Sequence, residues 1–479
     1  MTNINRRNFL GSAASIVGTT SLLSAIGTSN AWAQSAGDYK AIVCIFLAGG
    51  LDTVDTVLPY DEANYNAFRN LRPGIFGDYE NRYRNGAGSP RLRENLLPLQ
   101  LRNGSSFGGR EYALPQVMAP LHELIHQGKG AILGNIGPLI QPTTRNQFEN
   151  RSVPLPQRLF SHNDQQSTWQ SLSVEGSQLG WGGRIADAMS SANGADPIFT
   201  SVSTAGNPLF LAGQSTRPFM IGPAGVAQLA AVSRSEAFGN TAERRQFRQL
   251  MGQYYENLAT RSENFLDQDV AIAADRAIDN TERYLEADRS TPTLPVGDQF
   301  SFPSSPLGGQ LRTIAETIAN RNAFGAQRQV FFAQIGGFDS HSNTALDLPR
   351  LQGDIANSIS AFINVLEALG VMDNVVTFTA SEFGRTIIEN GDGTDHGWGG
   401  HQFVFGGAVN GGNLYGDIPA FDLGLDSYTA RSGRMIPAVS VDQFAATLSR
   451  WYGLPDAQIN AMLPNLANFS QSDVGFLPA

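Results

Sequence analysis

The sequence predicts an α/β protein built on a mixed, mostly parallel central sheet flanked by helices, with a helical insertion. Three observations carry this. The runs Ala41-Ile-Val-Cys-Ile-Phe-Leu-Ala48, Gly130-Ala-Ile-Leu-Gly-Asn-Ile136, Gln329-Val-Phe-Phe-Ala-Gln-Ile335 and Val375-Val-Thr-Phe-Thr-Ala380 are apolar almost throughout, as strands buried on both faces must be. Helix-period stretches alternate with them, which is the order that makes a parallel sheet. Polar and glycine residues gather where the runs end, and in open α/β sheets ligands bind at the carboxyl ends of the strands.

The N-terminus precedes this pattern. Asn5-Arg6-Arg7-Asn8-Phe9-Leu10 is a twin-arginine motif, followed by a weakly apolar stretch from Gly11 to Ile26 and a small-x-small cleavage site, Ala31-Trp-Ala33. Residues 1–33 therefore read as a signal peptide, with the mature chain starting at Gln34. The destination is periplasmic or secreted, reached through the twin-arginine translocase. Losing Arg6 and Arg7 would take the formal charge from −10 to −12. With that charge and no Lys/Arg-rich run, the electrostatic footprint of a nucleic-acid partner is missing. The single cysteine, Cys44, excludes an intrachain disulfide and reads as a small core residue of the first strand.

Residues 34–479 read as one elaborated domain. The first strand ends in Gly49-Gly50-Leu51-Asp52, where the glycines permit a tight turn that brings Asp52 to the sheet edge. Residues 59–109 read as long loops around short helices. Val117–His126 predicts a helix, and its His122 and His126, four apart without an accompanying Glu or Cys, read as a surface pair. Ser161-His162-Asn163-Asp164-Gln165 sits at a loop-to-helix entry, which suits an anion or an exposed nucleophile, or equally a helix cap by Ser161 or Asp164 over an anchoring Trp169. Gly180–Asp187 predicts a helix and Pro197–Val202 a strand. Thr241–Asp288 is charged and helical in period, with Phe247, Leu250, Tyr254 and Leu258 on one face, so that 210–306 reads as a helical cap insertion.

The third apolar run ends in Gly336-Gly-Phe-Asp-Ser-His341, repeating the device seen at Asp52. Asp339 and His341 share one side of an extended backbone, as two ligands of one ion would. An amphipathic helix with Ile355, Ile359, Phe362, Ile363 and Leu366 on one face leads into Val375–Ala380. That strand runs straight into Ser381-Glu-Phe-Gly-Arg-Thr386 and Gly393-Thr-Asp-His-Gly-Trp-Gly-Gly-His401. The glycine-rich loop lets Asp395, His396 and His401 converge with Glu382, either as metal ligands or as an acid/base set. Arg385 is a natural clamp for an anionic group, with a salt bridge to Glu382 as the alternative. A strand at Phe403–Ala408 and a closing helix at Val441–Leu454 complete the chain.

Four of the six histidines fall in these motifs, at 162, 341, 396 and 401. A set rich in imidazole and carboxylate suits zinc, manganese or another borderline divalent ion, singly or as a pair. No Gly-x-Ser-x-Gly elbow, Walker loop or dinucleotide fingerprint is present.

Taken together and in this order, the leader, Gly49-Gly-Leu-Asp52, Ser161–Gln165, Gly336–His341, Ser381–Thr386 and Gly393–Gly397 resemble the bacterial secreted domain-of-unknown-function family 1501 over nearly the whole mature chain. That family is grouped with the alkaline phosphatase and sulfatase superfamily. The resemblance implies a similar α/β fold, with one or two divalent ions at the C-terminal sheet edge and cleavage of phosphate or sulfate esters, small or polymeric. It implies metal ligation by Asp52, by Asp339 with His341, and by His396 or His401, with Glu382 standing where an Asp-His pair would end the strand. It puts Ser161-His162 at the nucleophile position, without a Ser, Thr or modified Cys in the expected context. The expected activity is thus an exported metal-dependent hydrolase, in which Ser161 or water attacks and His162 shuttles protons. The alternatives are a non-catalytic, metal-stabilised binding or surface-assembly protein with a degenerate site, and a metal-free hydrolase using Glu382 and His396 as acid and base.

Overall fold

The strand Lys40–Leu47 (β1) shows how the layers form. Ala41, Val43, Ile45 and Leu47 point into one apolar cluster, while Ile42, Cys44 and Phe46 point into a second, and all are buried. A strand with two dry faces needs cover on both, which makes a three-layer α/β/α body. The computed structural model describes residues 39–86, 88–194, 197–223, 225–226, 241–262, 264–290 and 294–478. The expected signal peptide lies outside the described residues. Among them, no helix is long and apolar enough to cross a membrane.

In chain order, the elements of the central sheet and its covering layers after β1 are helix α1 (Ala119–His126) and strand β2 (Gly130–Gly137), then helices α2 (His162–Ser171) and α3 (Trp181–Met189). The short strands β3 (Ser201–Ser203) and β4 (Phe219–Met220) come next. Helices α4 (Ala242–Arg261) and α5 (Phe265–Ser290) form the insertion, and α6 (Pro306–Ala319) leads into β5 (Arg328–Ile335). Helix α7 (Thr344–Ala368) precedes β6 (Val375–Ala380), which is followed by β7 (Arg385–Glu389), β8 (Thr394–His396), β9 (Gly400–Phe405), β10 (Leu414–Gly416), β11 (Val439–Ser440) and helix α8 (Val441–Tyr452).

The central sheet runs β10-β2-β9-β6-β1-β5-β3-β4, with β11 also on β2. It is parallel except at β9, which runs antiparallel to both β2 and β6. Helices α1, α6 and α7 cover one face, with Ile355, Ile359, Phe362, Ile363 and Leu366 buried there as the periodicity predicts. Helices α3 and α8 cover the other, with Phe444, Leu448 and Trp451 inward.

Two expectations are corrected. The insertion consists of two helices, and Phe247, Leu250 and Tyr254 of α4 are exposed instead of covering the sheet; α5 joins the body's apolar cluster through the buried Tyr284 and Ala287. The strand expected at Phe403 begins at Gly400, so His401 lies inside the sheet and not on the glycine-rich loop.

Candidate metal centre

The neighbouring parallel strands β6, β1 and β5 end side by side, at Ala380, Leu47 and Ile335. The segments leaving them are tied together at once. Ser381 Oγ donates to Leu47 O at 2.7 Å and accepts from Leu51 N–H at 2.9 Å. Gly49, at φ 123°, lies so close to the loop after β5 that a Cβ there would sit 2.5 Å from Asp339 N. On the far side, a Cβ on Gly393 would fall 2.2 Å from His341 C, so the turn between β7 and β8 can rest on the Asp339–His341 segment only as glycine.

Within this frame the imidazole Nε2 atoms converge. His162 Nε2 lies 3.1 Å from His396 Nε2 and 3.4 Å from Asp339 Oδ2. His396 Nε2 lies 3.2 Å from Asp339 Oδ1, and His341 Nε2 lies 2.9 Å from His396 Nε2 and 3.0 Å from Asp339 Oδ1. Among the described residues, His162, Asp339 and His396 form a group able to hold an ion, with ligand atoms all within 4.8 Å of one another. His341 joins from the Asp339 and His396 side.

The other ring nitrogen of each histidine is held from behind. His162 Nδ1 is 2.8 Å from Glu382 Oε1, His396 Nδ1 is 2.8 Å from Phe160 O, and His341 Nδ1 is 3.4 Å from Asp395 Oδ1. Burial pushes Glu382 up, but hydrogen bonds from His162, Gln166 and Gly49 N–H outweigh it and hold the carboxyl below its ordinary value, so it is ionised. An ionised carboxylate and a backbone carbonyl accept only. The Nδ1 atoms of His162 and His396 must therefore carry protons, and in the neutral rings both Nε2 atoms are bare lone pairs. His162 is raised by its bond to Glu382, with burial opposing; His396 is lowered by burial. Bare acceptors facing one another, beside a carboxylate, repel unless a cation joins them. Carboxylate or carbonyl partners behind ligating imidazoles are how proteins fix the metal-binding tautomer. Three imidazoles and one carboxylate therefore fit a borderline divalent ion of the zinc type.

Asp339 is held below its usual value, since Arg385 and the histidines outweigh the effect of its burial. Its side chain is 45% exposed and that of His341 44%, so the group opens to solvent on their side. Phe383 stacks on His396 at 4.8 Å and tilts against His162 at 4.9 Å, screening the other side.

Several sequence expectations need correcting. Asp52 is buried, its Oδ2 paired with Arg72 at 2.6 Å and its Oδ1 accepting from Asp55 N–H, while Arg72 also donates to Thr386 O and Ile387 O. The carboxylate belongs to an internal ion pair, and the two-residue advance past Gly50 carries it under the site. His401 lies within the sheet: its Nδ1 accepts from Asn135 N–H at 3.0 Å, its Nε2 has no hydrogen-bond partner among the described residues, and burial pushes its pKa down to about 3. Arg385 is buried, with its donors on Asp339 Oδ1, Gly49 O, Thr394 O and Thr394 Oγ1, so it orients Asp339 and leaves little for an anionic ligand. Ser161 Oγ donates to Asp164 Oδ2 at 2.7 Å and shares no hydrogen bond with a described histidine, which makes it a helix-start residue. Glu382 and Asp395 stand one step behind the convergence, Glu382 hydrogen-bonded to His162 and Asp395 at 3.4 Å from His341 Nδ1. His162, expected as a proton shuttle, stands inside it. His122 and His126 lie on the surface, bonded to Pro98 O and Gln100 N.

Two contributors escaped the sequence reading. Gln166 lies one helical turn from His162, a spacing that could have revealed it. Phe160 contributes its carbonyl from a left-handed backbone, φ 73°, which nothing in its identity announces.

A family model described as "Protein of unknown function (DUF1501)" matches residues 39–463. The chain belongs to the DUF1501 family. No curated protein matches it. Among solved structures, this DUF1501 chain is similar to Ps i-CgsB at 10% identity, covering 90% of this chain and 77% of that one with a TM-score of 0.34. It is also similar to the PsFucS1 sulfatase from Pseudoalteromonas sp., at 10% identity, 90% and 71% coverage and a TM-score of 0.34. A third is the lipoteichoic acid synthase LtaP from Listeria monocytogenes, at 8% identity, 86% and 80% coverage and a TM-score of 0.29. Overlap this partial carries no argument, so the function of the DUF1501 chain has to be read from the geometry of its own site.

Proposed function

We propose that this DUF1501 protein is an exported metal-dependent hydrolase of phosphate or sulfate esters, with the ion held by His162, Asp339, His396 and His341. One observation carries the reading: the Nε2 atoms meet around Asp339 while Nδ1 of His162 and of His396 is hydrogen-bonded to an oxygen behind it. When bound, a divalent ion supplies Lewis-acid polarisation of an ester oxygen and lowers the pKa of a coordinated water.

The chain's own residues do the rest. Glu382 holds His162 in one tautomer and Arg385 fixes the Asp339 carboxylate. Phe383 covers one side of the rings, and the side of Asp339 and His341 opens to solvent, from which a leaving oxygen would take up its proton. With Ser161 bonded to Asp164, the attacking group in this reading is water and no covalent enzyme intermediate forms.

Turnover of aryl phosphates and aryl sulfates by the wild type, Asp339→Ala and His396→Ala, with and without chelator, tests the reading. Activity that survives both substitutions removes the metal mechanism. Among the described residues no hydroxyl or thiol nucleophile is hydrogen-bonded to the convergent atoms, and this favours a second reading, a metal-stabilised binding protein. Bound metal without turnover of any ester would select it.

A further inference from the structure

An anionic ester needs a cation beside the metal centre, and Arg385, the candidate its sequence position offered, is buried with its donors engaged. Arg434 is placed differently. Its backbone is closed by Thr429, with Thr429 N–H donating to Arg434 O at 2.9 Å and Arg434 N–H to Thr429 Oγ1 at 3.2 Å. Its Nε donates to His396 O at 2.6 Å, and its guanidinium carbon lies 4.4 Å from the centroid of the Phe160 ring. The carbonyl of that same Phe160 accepts from His396 Nδ1. Arg434 is thus oriented by His396 and by the residue that orients His396. Its Nη1 and Nη2 have no hydrogen-bond acceptor among the described residues, and the side chain is half-buried.

A guanidinium fixed at its inner nitrogen and on one face, with both outer nitrogens free of hydrogen-bond acceptors among the described residues, is a pre-organised fork that matches two oxygens of a tetrahedral anion; a lysine in that place would present only a point charge. We propose that Arg434 is the oxyanion-binding residue of this site, taking the non-bridging oxygens of a phosphate or sulfate group through Nη1 and Nη2. This rests on the hydrolase reading for its biological meaning, but the binding itself does not require turnover. Phe160, turned into the left-handed region so that its carbonyl meets His396 while its ring supports Arg434, would couple anion recognition to the ligand geometry.

Calorimetric titration with inorganic phosphate and, separately, inorganic sulfate tests this on the full chain, both metal-loaded and chelator-treated. The variants are Arg434→Gln, whose amide can still donate to His396 O, and Arg434→Lys. Affinity for at least one anion should fall on the order of tenfold or more in Arg434→Gln. Arg434→Lys should recover only part of it, and metal content and thermal midpoint should match the wild type in both. The arm that responds names the ester class. Equal anion affinity in wild type and Arg434→Gln overturns the proposal, as does a wild type that binds neither anion. A wild type that takes up no metal yet binds phosphate in an Arg434-dependent way would overturn the hydrolase reading and leave this assignment standing.

Discussion

The Nε2 atoms of His162 and His396 lie 3.1 Å apart, although each ring has its proton drawn to Nδ1, by Glu382 in one case and by the Phe160 carbonyl in the other. Two acceptors at that distance make an arrangement that only a cation or a shared proton relieves. The contribution of the carboxylate behind can be measured. Glu382→Gln keeps the shape but removes the charge that fixes His162, and loss of such an outer partner lowers metal affinity by about tenfold to a hundredfold. Competition titration against a chromogenic chelator should show that drop with the fold intact. Unchanged affinity would mean that Glu382 does not act through His162.

Asp52 separates the structure from the sequence expectation. Breaking a buried ion pair by removing one charge costs roughly 3–5 kcal/mol, and the Asp52–Arg72 pair is fully buried. Asp52→Asn should therefore lower the denaturation midpoint strongly while leaving the metal-to-protein ratio unchanged. Metal lost from a variant that still melts cooperatively would return Asp52 to the ligand set.

Ser161→Ala should keep turnover within a few-fold of the wild type and lower stability by about 1 kcal/mol, the net worth of its one hydrogen bond to Asp164. A rate loss of a thousandfold would make Ser161 the nucleophile and overturn the water-attack reading.

Gly49→Ala tests the frame. Its φ of 123° and the 2.5 Å approach to Asp339 N leave no room for a methyl group. The substitution should displace the Asp339 loop, and metal affinity should fall together with stability.

Stability against pH has a specific signature at Asp442. Burial pushes its carboxyl up from 3.8 to about 6, against hydrogen bonds from Ser440 and Asn465. The folded chain thus holds this proton more tightly than the unfolded one. Stability is lost as pH rises from about 4 through 6 and stays lost above it. Asp442→Asn should raise the unfolding free energy at pH 7.5 by up to about 3 kcal/mol, and the gain should vanish below pH 4. His401, held neutral down to about 3 by burial, gives an opposite slope between pH 6.5 and 3, but in both proteins, so the difference between them isolates Asp442. A gain independent of pH would show that the carboxyl is not the cause.

Much of this was legible in the sequence because it depends on period and on strand ends. The apolar runs place β1, β2, β5 and β6 within a residue of their observed limits, and the glycine pairs mark where the chain must turn at the sheet edge. Asp339 and His341 follow such an end directly, and His396 is brought to them by the β7–β8 hairpin that comes after the end of β6. What the sequence hid depends on a one-residue register or on a partner far along the chain. Whether His401 faces the loop or the core turns on β9 starting at Gly400 and not at Phe403. Whether Asp52 is a ligand or a buried ion depends on Arg72, a residue in an unremarkable stretch of loops and short helices. The exchange of roles between Glu382 and His162 is invisible too, because a carboxylate behind an imidazole and one beside it leave the same pattern of letters.

The central claim is that His162, Asp339 and His396 hold a divalent ion, and elemental analysis of the purified protein tests it most directly. The account predicts at least one equivalent of a single divalent metal per chain in the wild type and less than a tenth of that in His396→Ala and Asp339→Ala, both still folded. A folded wild type that carries and takes up no divalent metal, or variants that retain the wild-type amount, would contradict it.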